Sequence, residues 1–435
     1  MFMNFTNGII DKNNTIISFA LIGIIVGVLS AINYFYLILS CIFILITLFV
    51  IKNPDRYGYF ILFMAAFSIQ YIFPIFLGPL DMASLYKVLL LSCVFMSIIR
   101  FGLMVNQIYV LLSFFIVLVN SFLFSSLPSS LSYIDIIKAF VGLVAPWALL
   151  LIKWPLHICR MNLKLICSLP IISSIVGILL TLSGIYSFYF YEYTGVVRFQ
   201  GSSIPAHLAM LSYIGFIVSL IEAKRNKRIY YLFSIINFLI LLSTGTRGPL
   251  LASIIIIFVY LLDNVKAFIS GKIQYLFYLI IFTSVIFILF ILKKDSFLAR
   301  TNQQGEGTFN LSGREEAWQY FLHKAHDSSI FGKGLGSILQ ANDGSIFAGF
   351  VVPHNEYIRF YYEMGYVGTI LIFLTFFYLF RVIYNVIDKK IKLYYVAFII
   401  GVLIYSFSDN IFSTVQFTVP FCWYLSTIYS ISKQQ

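Results

Sequence analysis

Three stretches of the chain combine basic side chains with residues that start helices. Arg198-Phe-Gln-Gly201-Ser202-Ser203-Ile-Pro205 offers serines able to cap a helix and a proline suited to its first turn. Ser243-Thr244-Gly245-Thr246-Arg247-Gly248-Pro249 reads as a tight turn with a guanidinium beside the next helix start. Pro353-His354-Asn355 leads into a long apolar run. A helix start carries unsatisfied N–H groups and a partial positive charge, and arginine grips a phosphate at two points without ever losing its own charge. Arg198 and Arg247 are therefore candidates for holding a phosphate or diphosphate. Imidazole titrates at about pH 6.5 in an ordinary setting, so His354 is the candidate general base for a hydroxyl. The plainer readings are arginines that snorkel to a membrane interface and a histidine that only hydrogen-bonds at a loop-to-helix junction. His323 and His326, three apart and without further ligands, read as a solvated helix face, and His207 as a residue packed inside the bundle.

These residues need a scaffold, and the composition names its class. The chain has 435 residues, 60% hydrophobic and only 11% charged. That is enough apolar sequence for roughly thirteen spans of about 20 residues, and far too little charge for a soluble domain. The fold class expected is an all-α, polytopic membrane helix bundle of about 12–14 transmembrane helices with one large outer loop. Apolar segments lie near 15–31, 34–51, 57–77, 82–99, 103–125, 134–152, 165–184, 205–221, 229–243, 248–262, 275–292, 356–380, 393–408 and 412–431. The net charge of +12 belongs to no basic stripe or nucleic-acid recognition module. Basic residues instead concentrate in alternate loops, such as Lys224, Arg225, Lys227 and Arg228, which places both termini in the cytoplasm by the positive-inside rule. The five cysteines show no metal-like pairing, so no disulfide and no metal site is expected.

The chain divides into N-terminal spans (1–184), central spans carrying the outer turns at Arg198 and Arg247 (185–292), a large outer loop (293–355) and C-terminal spans (356–435). Within the loop, the pattern from Gly313 to His326 predicts an amphipathic helix lying on the membrane surface, with Ala317, Tyr320, Phe321 and Lys324 on one face. Glycines 332, 334, 336 and 344 mark turns, and their spacing is not that of a phosphate-binding loop. At about 100 degrees per residue, His354, Ile358, Tyr361, Gly365, Gly368 and Ile372 share one line of a continuous helix. Gly365 and Gly368 would then let a neighbouring helix approach and fix His354. Arg359 and Glu363, four apart on another face, read as a structural ion pair.

In order along the chain, Arg198-x-x-Gly201 with Pro205, the Ser/Thr-rich turn with Arg247, Gly313-Arg314 before Trp318 and Phe331-Gly332-x-Gly334-x-Gly336, and His354-Asn355 leading to Gly365-x-x-Gly368-Thr369 resemble the O-antigen ligase and O-antigen polymerase superfamily. The likeness covers roughly residues 195–375. It implies transfer of a glycan from an undecaprenyl-diphosphate carrier to an acceptor on the outer face of the bacterial inner membrane, with no cofactor and no metal. Arg198, Arg247 and Arg314 would hold the diphosphate, His354 would act as base with Asn355, Gly365 and Gly368 in support, and a carboxylate such as Glu315 or Asp409 is the alternative base. The partners implied are the lipid-linked glycan donor, a glycan or lipid acceptor and membrane lipids, with a chain-length regulator as a candidate and no nucleic acid. A polymerase is favoured over a ligase acting on lipid A-core. A lipid-linked oligosaccharide flippase is the competing class; it would place polar sites near the bilayer midplane, whereas here they gather at one face.

Overall fold

The computed structural model describes residues 54–72, 76–77, 80–192, 195–225, 228–277, 314–341 and 352–434, with a few positions between 279 and 294. The expected spans at 15–31 and 34–51, most of that at 275–292, and Gly344 lie outside the described residues. By contact the chain forms two units, 1–58 and 59–435, and all the packing described below belongs to the second.

The protein is an all-α polytopic membrane bundle. The described elements run α1 (Pro54–Met64), α2 (Ile69–Ile72), a hairpin of β1 (Phe76–Leu77) and β2 (Leu80–Asp81), α3 (Met82–Phe101), α4 (Ile108–Leu123), α5 (Tyr133–Trp147) and α6 (Leu156–Leu182). A second hairpin of β3 (Tyr189–Tyr191) and β4 (Val197–Phe199) follows, then α7 (Pro205–Lys224), α8 (Ile229–Ser243), α9 (Arg247–Ile269), α10 (Arg314–Ala325), α11 (Glu356–Val386), α12 (Lys389–Ser408) and α13 (Val415–Gln434). Among the described residues eight helices are long and apolar enough to cross a membrane, with α8 a shorter apolar helix beside them.

Several local expectations are corrected. The segment expected to span at 57–77 is broken by the 65–68 turn and ends in the β1–β2 hairpin. Neither Ser202 nor Ser203 caps α7: Ile204 is its N-cap without a side-chain bond, while Ser202 Oγ meets Ser173 Oγ at 3.0 Å and Ser203 Oγ donates to the Ile204 carbonyl. Pro205 does occupy the first turn, where its missing N–H costs nothing. The segment Gly313–His326 forms a helix, but its apolar face does not lie on lipid. Ala317, Phe321 and Ala325 are buried against Ile338, Ala341, Ile358 and Tyr362, and Tyr320 and Lys324 both donate to the Ala341 carbonyl, at 2.7 and 3.0 Å.

The largest correction concerns α11. The helical line through Gly365 assumes a continuous helix, and the helix breaks there: Gly365 has φ 63° and ψ −168°, a backbone that side chains with a Cβ resist. The break is filled by a strap from the outer loop. Lys333 and Gly334 N–H donate to the carbonyls of Tyr362 and Glu363, and Tyr366 and Val367 N–H donate to those of Ser329 and Ile330, all between 2.8 and 3.1 Å. A kink in lipid would strand those backbone groups; here the strap satisfies them. Gly365 and Gly332 are close enough that a Cβ on either would sit about 2.3–2.5 Å from the other segment's backbone. So Gly365 admits a loop and not a helix, and a Cβ at Gly368 would meet Met364 of its own helix. Glycines 332, 334 and 336 do mark turns, with φ of 77°, 89° and 81°. On the far side the strap is pinned to α4, where Asn120 Nδ2 donates to the Phe331 carbonyl at 3.0 Å and Leu335 N–H donates to Ser121 Oγ at 3.2 Å.

An aromatic cluster joins α5 and α11 to the turn before α13. Trp147 stacks on Phe376 with centroids 4.2 Å apart, and Phe376 continues to Phe412 at 5.2 Å. Lipid is as apolar as these rings, so shape complementarity, not water exclusion, holds them. Phe412 lies in the turn between α12 and α13, and anchoring it fixes the residues just before it.

Candidate active site

Asp409 and Asn410 cap the end of α12 beside the start of α11. Asn355 is the N-cap of α11, its Oδ1 accepting from Tyr357 and Ile358 N–H, and its own N–H donates to Asn410 Oδ1 at 3.0 Å. This clasp holds His354 opposite Asp409, with Nδ1 3.0 Å from Oδ1. A carboxylate only accepts, so the proton sits on Nδ1 and the imidazole lone pair on Nε2, the arrangement that orients a general base. Asp409 is 8% exposed, and its Oδ1 also accepts from Asn410 N–H at 2.9 Å. Burial disfavours its charge, yet the His354 hydrogen bond, the His354 and Arg314 charges and the Asn410 N–H outweigh that and hold the carboxyl below its ordinary value. His354 has φ 48°, the one non-glycine in the left-handed region among the described residues, where an L-residue is held at a cost of about 1–2 kcal/mol. Glu356 braces the same turn from below: its Oε1 accepts from Phe412 and Ser413 N–H, and Arg359 binds its Oε2 at 2.5 Å and Glu363 at 3.4 Å. The pairing of Arg359 with Glu363 is thus part of a buried Glu–Arg–Glu chain.

The arginines approach from three elements. Arg198, on β4, spans the 244–246 turn: Nε donates to the Thr244 carbonyl and Nη2 to Thr246 Oγ1, both at 2.8 Å, with Glu192 3.6 Å from Nη1. Gly245, at φ 63°, makes the turn tight enough for that grip. Arg247 opens α9, and the helix start it belongs to abuts the end of α12, since a Cβ on Gly248 would lie 2.3 Å from Ser408 Oγ and 3.3 Å from the Tyr405 ring. Arg314 opens α10, whose Trp318 donates Nε1–H to the Pro353 carbonyl at 2.7 Å and meets Phe407 edge-on at 5.0 Å. The charges of Arg314 and Arg198 both act on Tyr405, and that of Arg314 on Asp409. Arg314 Nε is buried without a hydrogen-bond partner among the described residues, a state that normally marks strain or a role in binding.

Arg198, Arg247, Arg314, His354 and Asn355 come together around Tyr405 and Asp409, whereas Gly365 and Gly368 stand apart and act on the strap and on α11. What the sequence reading missed is the contact between Asp409 and His354: it offered Asp409 only as a base that could serve instead, and the structure sets the two within hydrogen-bond distance. A signal existed: Ser408-Asp409-Asn410 is a polar interruption between two apolar runs, at the same face as His354. Glu315 and Glu316 are exposed on α10.

The family model described as O-antigen ligase matches residues 232–373, from α8 through the first half of α11. Residues 232–373 are thus similar to the O-antigen ligase family. No curated protein matches it. The matched span contains Arg247, Arg314, His354 and the strap, and leaves Arg198 and Asp409 outside it. A multi-pass membrane enzyme of the ligase and polymerase type, acting on lipid-linked glycan donors and acceptors, is therefore what fold and family together support.

Proposed function

We propose that the protein polymerises undecaprenyl-diphosphate-linked oligosaccharide repeats into O-antigen or capsular polysaccharide on the outer face of the bacterial inner membrane, with both termini cytoplasmic. The observation that carries this reading is the His354–Asp409 pair at one end of a membrane bundle, with the Arg314 charge acting on Asp409 and those of Arg314 and Arg198 on Tyr405. His354 Nε2 takes the proton of an acceptor hydroxyl as its oxygen attacks the anomeric carbon of the donor glycan. The bond from that carbon to the diphosphate oxygen breaks, and the electron pair leaves with the diphosphate. Arg247 and Arg314 meet the charge that develops there. Preorganised donors of this kind are typically the largest catalytic contribution, about 10²- to 10³-fold for each donor removed. Arg198, engaged by the 244–246 turn, holds that turn in place and adds its field. Cationic side chains neutralise the leaving group in this scheme, and no metal or cofactor is invoked.

The family description favours a second reading, transfer of finished polysaccharide to lipid A-core. Reconstitution separates them. With the lipid-linked oligosaccharide as sole substrate, a polymerase yields a ladder of longer glycans. A ligase yields none until lipid A-core is added, and a flippase moves the substrate without new bonds.

A further inference from the structure

A second polar cavity opens at the same end of the bundle. It holds about 180 Å³ and is lined by Gln70, Tyr71, Lys87, His207, Thr414 and Gln416, among others. That is room for roughly six waters, so it fits one phosphate group or one sugar ring and not a whole glycan. Lys87 lies five residues into α3, a helix long and apolar enough to span a membrane, about 7.5 Å along its axis from the start at 1.5 Å per residue. It makes no hydrogen bond or salt bridge to a described residue; burial weighs most against its charge, Asp81 favours it and Arg359 opposes it. An ionisable side chain within such a helix is costly and typically marks a polar path or a site. Space is kept for it, since a Cβ on Gly142 would sit 2.8 Å from its Nζ. His207 is held by Ser68, with Nδ1 2.8 Å from Oγ, and sits against Tyr71 at 5.7 Å between ring centroids. Gln416 donates to the Phe67 carbonyl at 2.9 Å. The 409–416 turn serves both sites: its first residue pairs with His354 and acts electrostatically on His207, and its last four line the cavity.

Two lipid-linked substrates bring two diphosphates to one membrane face. One leaves at His354; the other stays on the acceptor, a glycan's length from the reacting hydroxyl, and needs a cation of its own. We propose that the Lys87–His207 cavity binds that second, spectator phosphate of the acceptor, while the arginines hold the leaving one. The inference rests on the polymerase reading.

The test is binding stoichiometry and kinetics in the full-length protein in lipid nanodiscs. Undecaprenyl diphosphate without sugar should bind at two sites by native mass spectrometry, Lys87→Gln should leave one, and Lys87→Arg should keep both. In the ladder assay Lys87→Gln should raise KM for the acceptor roughly 10- to 100-fold with kcat little changed, the loss of one charge-assisted contact in ground and transition state alike. Gly142→Ala, which crowds Nζ without removing the charge, should weaken the same site. One binding site, or two sites indifferent to Lys87→Gln, overturns the inference even if a ladder forms. Competition by glucuronate but not by inorganic diphosphate would instead assign the cavity to a sugar carboxylate and also overturn it. Two Lys87-dependent sites without a ladder would uphold the cavity as a phosphate site and sink the polymerase reading.

Discussion

Replacing Asp409 by Asn separates orientation from charge at the base. The amide keeps Oδ1, so it still accepts from Asn410 N–H, and its volume fits the same 8%-exposed niche. What it loses is the negative charge facing His354 Nδ1 at 3.0 Å. Because Oδ1 faces both His354 Nδ1 and Asn410 N–H, only a flipped amide, which gives up the Asn410 bond, would offer N–H to Nδ1, move the imidazole proton to Nε2 and abolish its capacity to accept. A wrongly protonated base forfeits its contribution, so turnover should fall by roughly 10²- to 10⁴-fold. Stability should change far less, on the order of 1 kcal/mol, as one charge-assisted hydrogen bond is exchanged for a neutral one. The pH dependence has a fixed sign. Because the folded carboxyl titrates below its ordinary value, its contribution to stability is complete above the unfolded value of about 3.9 and is lost as pH falls through the lower folded one. Between pH 5 and 8 the stability difference between Asp409→Asn and wild type should therefore be flat, and any acid limb of activity in that window belongs to another group. Ladder formation in proteoliposomes gives the rate and thermal unfolding in detergent gives the stability. An Asn variant within threefold of wild-type turnover would refute the role assigned to the pair, and His354→Ala combined with Asp409→Asn should be no slower than His354→Ala alone, since a partner has nothing to orient once the base is gone.

At matched expression, Arg247→Ala should lose far more transfer than Arg247→Lys, and Lys should still be impaired because a point charge does not reproduce a planar fork on diphosphate; equal activity in all three would reduce Arg247 to an interface anchor. Gly365→Ala should cost about 3 kcal/mol or more, read as a lowered thermal midpoint and faster proteolysis of the strap, because it places a Cβ at positive φ within 2.3 Å of the Ile330 carbonyl oxygen. Orientation is tested by cysteine labelling from outside, where Leu339→Cys should react and Arg228→Cys should not; the alternative probe at Ser337 is unsuitable, since that residue is 0% exposed whichever side it faces.

The bundle was legible because the signal for it is redundant: every span repeats it, and one misread span changes a count and not a class. The candidate site was legible in part, because Arg247, Arg314 and His354 sit at or just before helix starts, and Arg198 in the approach to one, that local sequence reveals. What local sequence cannot carry is pairing across 55 residues, and so Asp409 appeared as a rival to His354. The error at Gly365 has a different origin. Helical periodicity extrapolates a straight axis, and nothing in the run from Glu356 to Val386 announces a break, because the groups that stabilise it come from Ser329, Ile330, Lys333 and Gly334. The amphipathic reading of α10 failed similarly: periodicity identifies a buried face without saying whether lipid or protein buries it.

The kink also explains why a long loop and a membrane helix must be built as one device. The strap supplies the hydrogen bonds that α11 gives up at Gly365, and Gly336 N–H at its end donates to Glu363 Oε1 at 3.0 Å. Glu363 binds Arg359, Arg359 binds Glu356, and Glu356 receives the N–H groups of Phe412 and Ser413. A continuous chain of bonds therefore runs from the outer loop to the turn that presents Asp409. Each link is buried, and a buried ion pair stripped of one partner typically costs about 3–5 kcal/mol. Displacing the strap would expose that chain at its first link and loosen the turn at its last, which ties the geometry of the base to a strap whose own bonds go to Tyr362, Glu363, Tyr366 and Val367. By the same logic, changes at Glu363 should act on kcat through the position of Asp409 while leaving the arginine contacts of the donor, and hence its binding, in place.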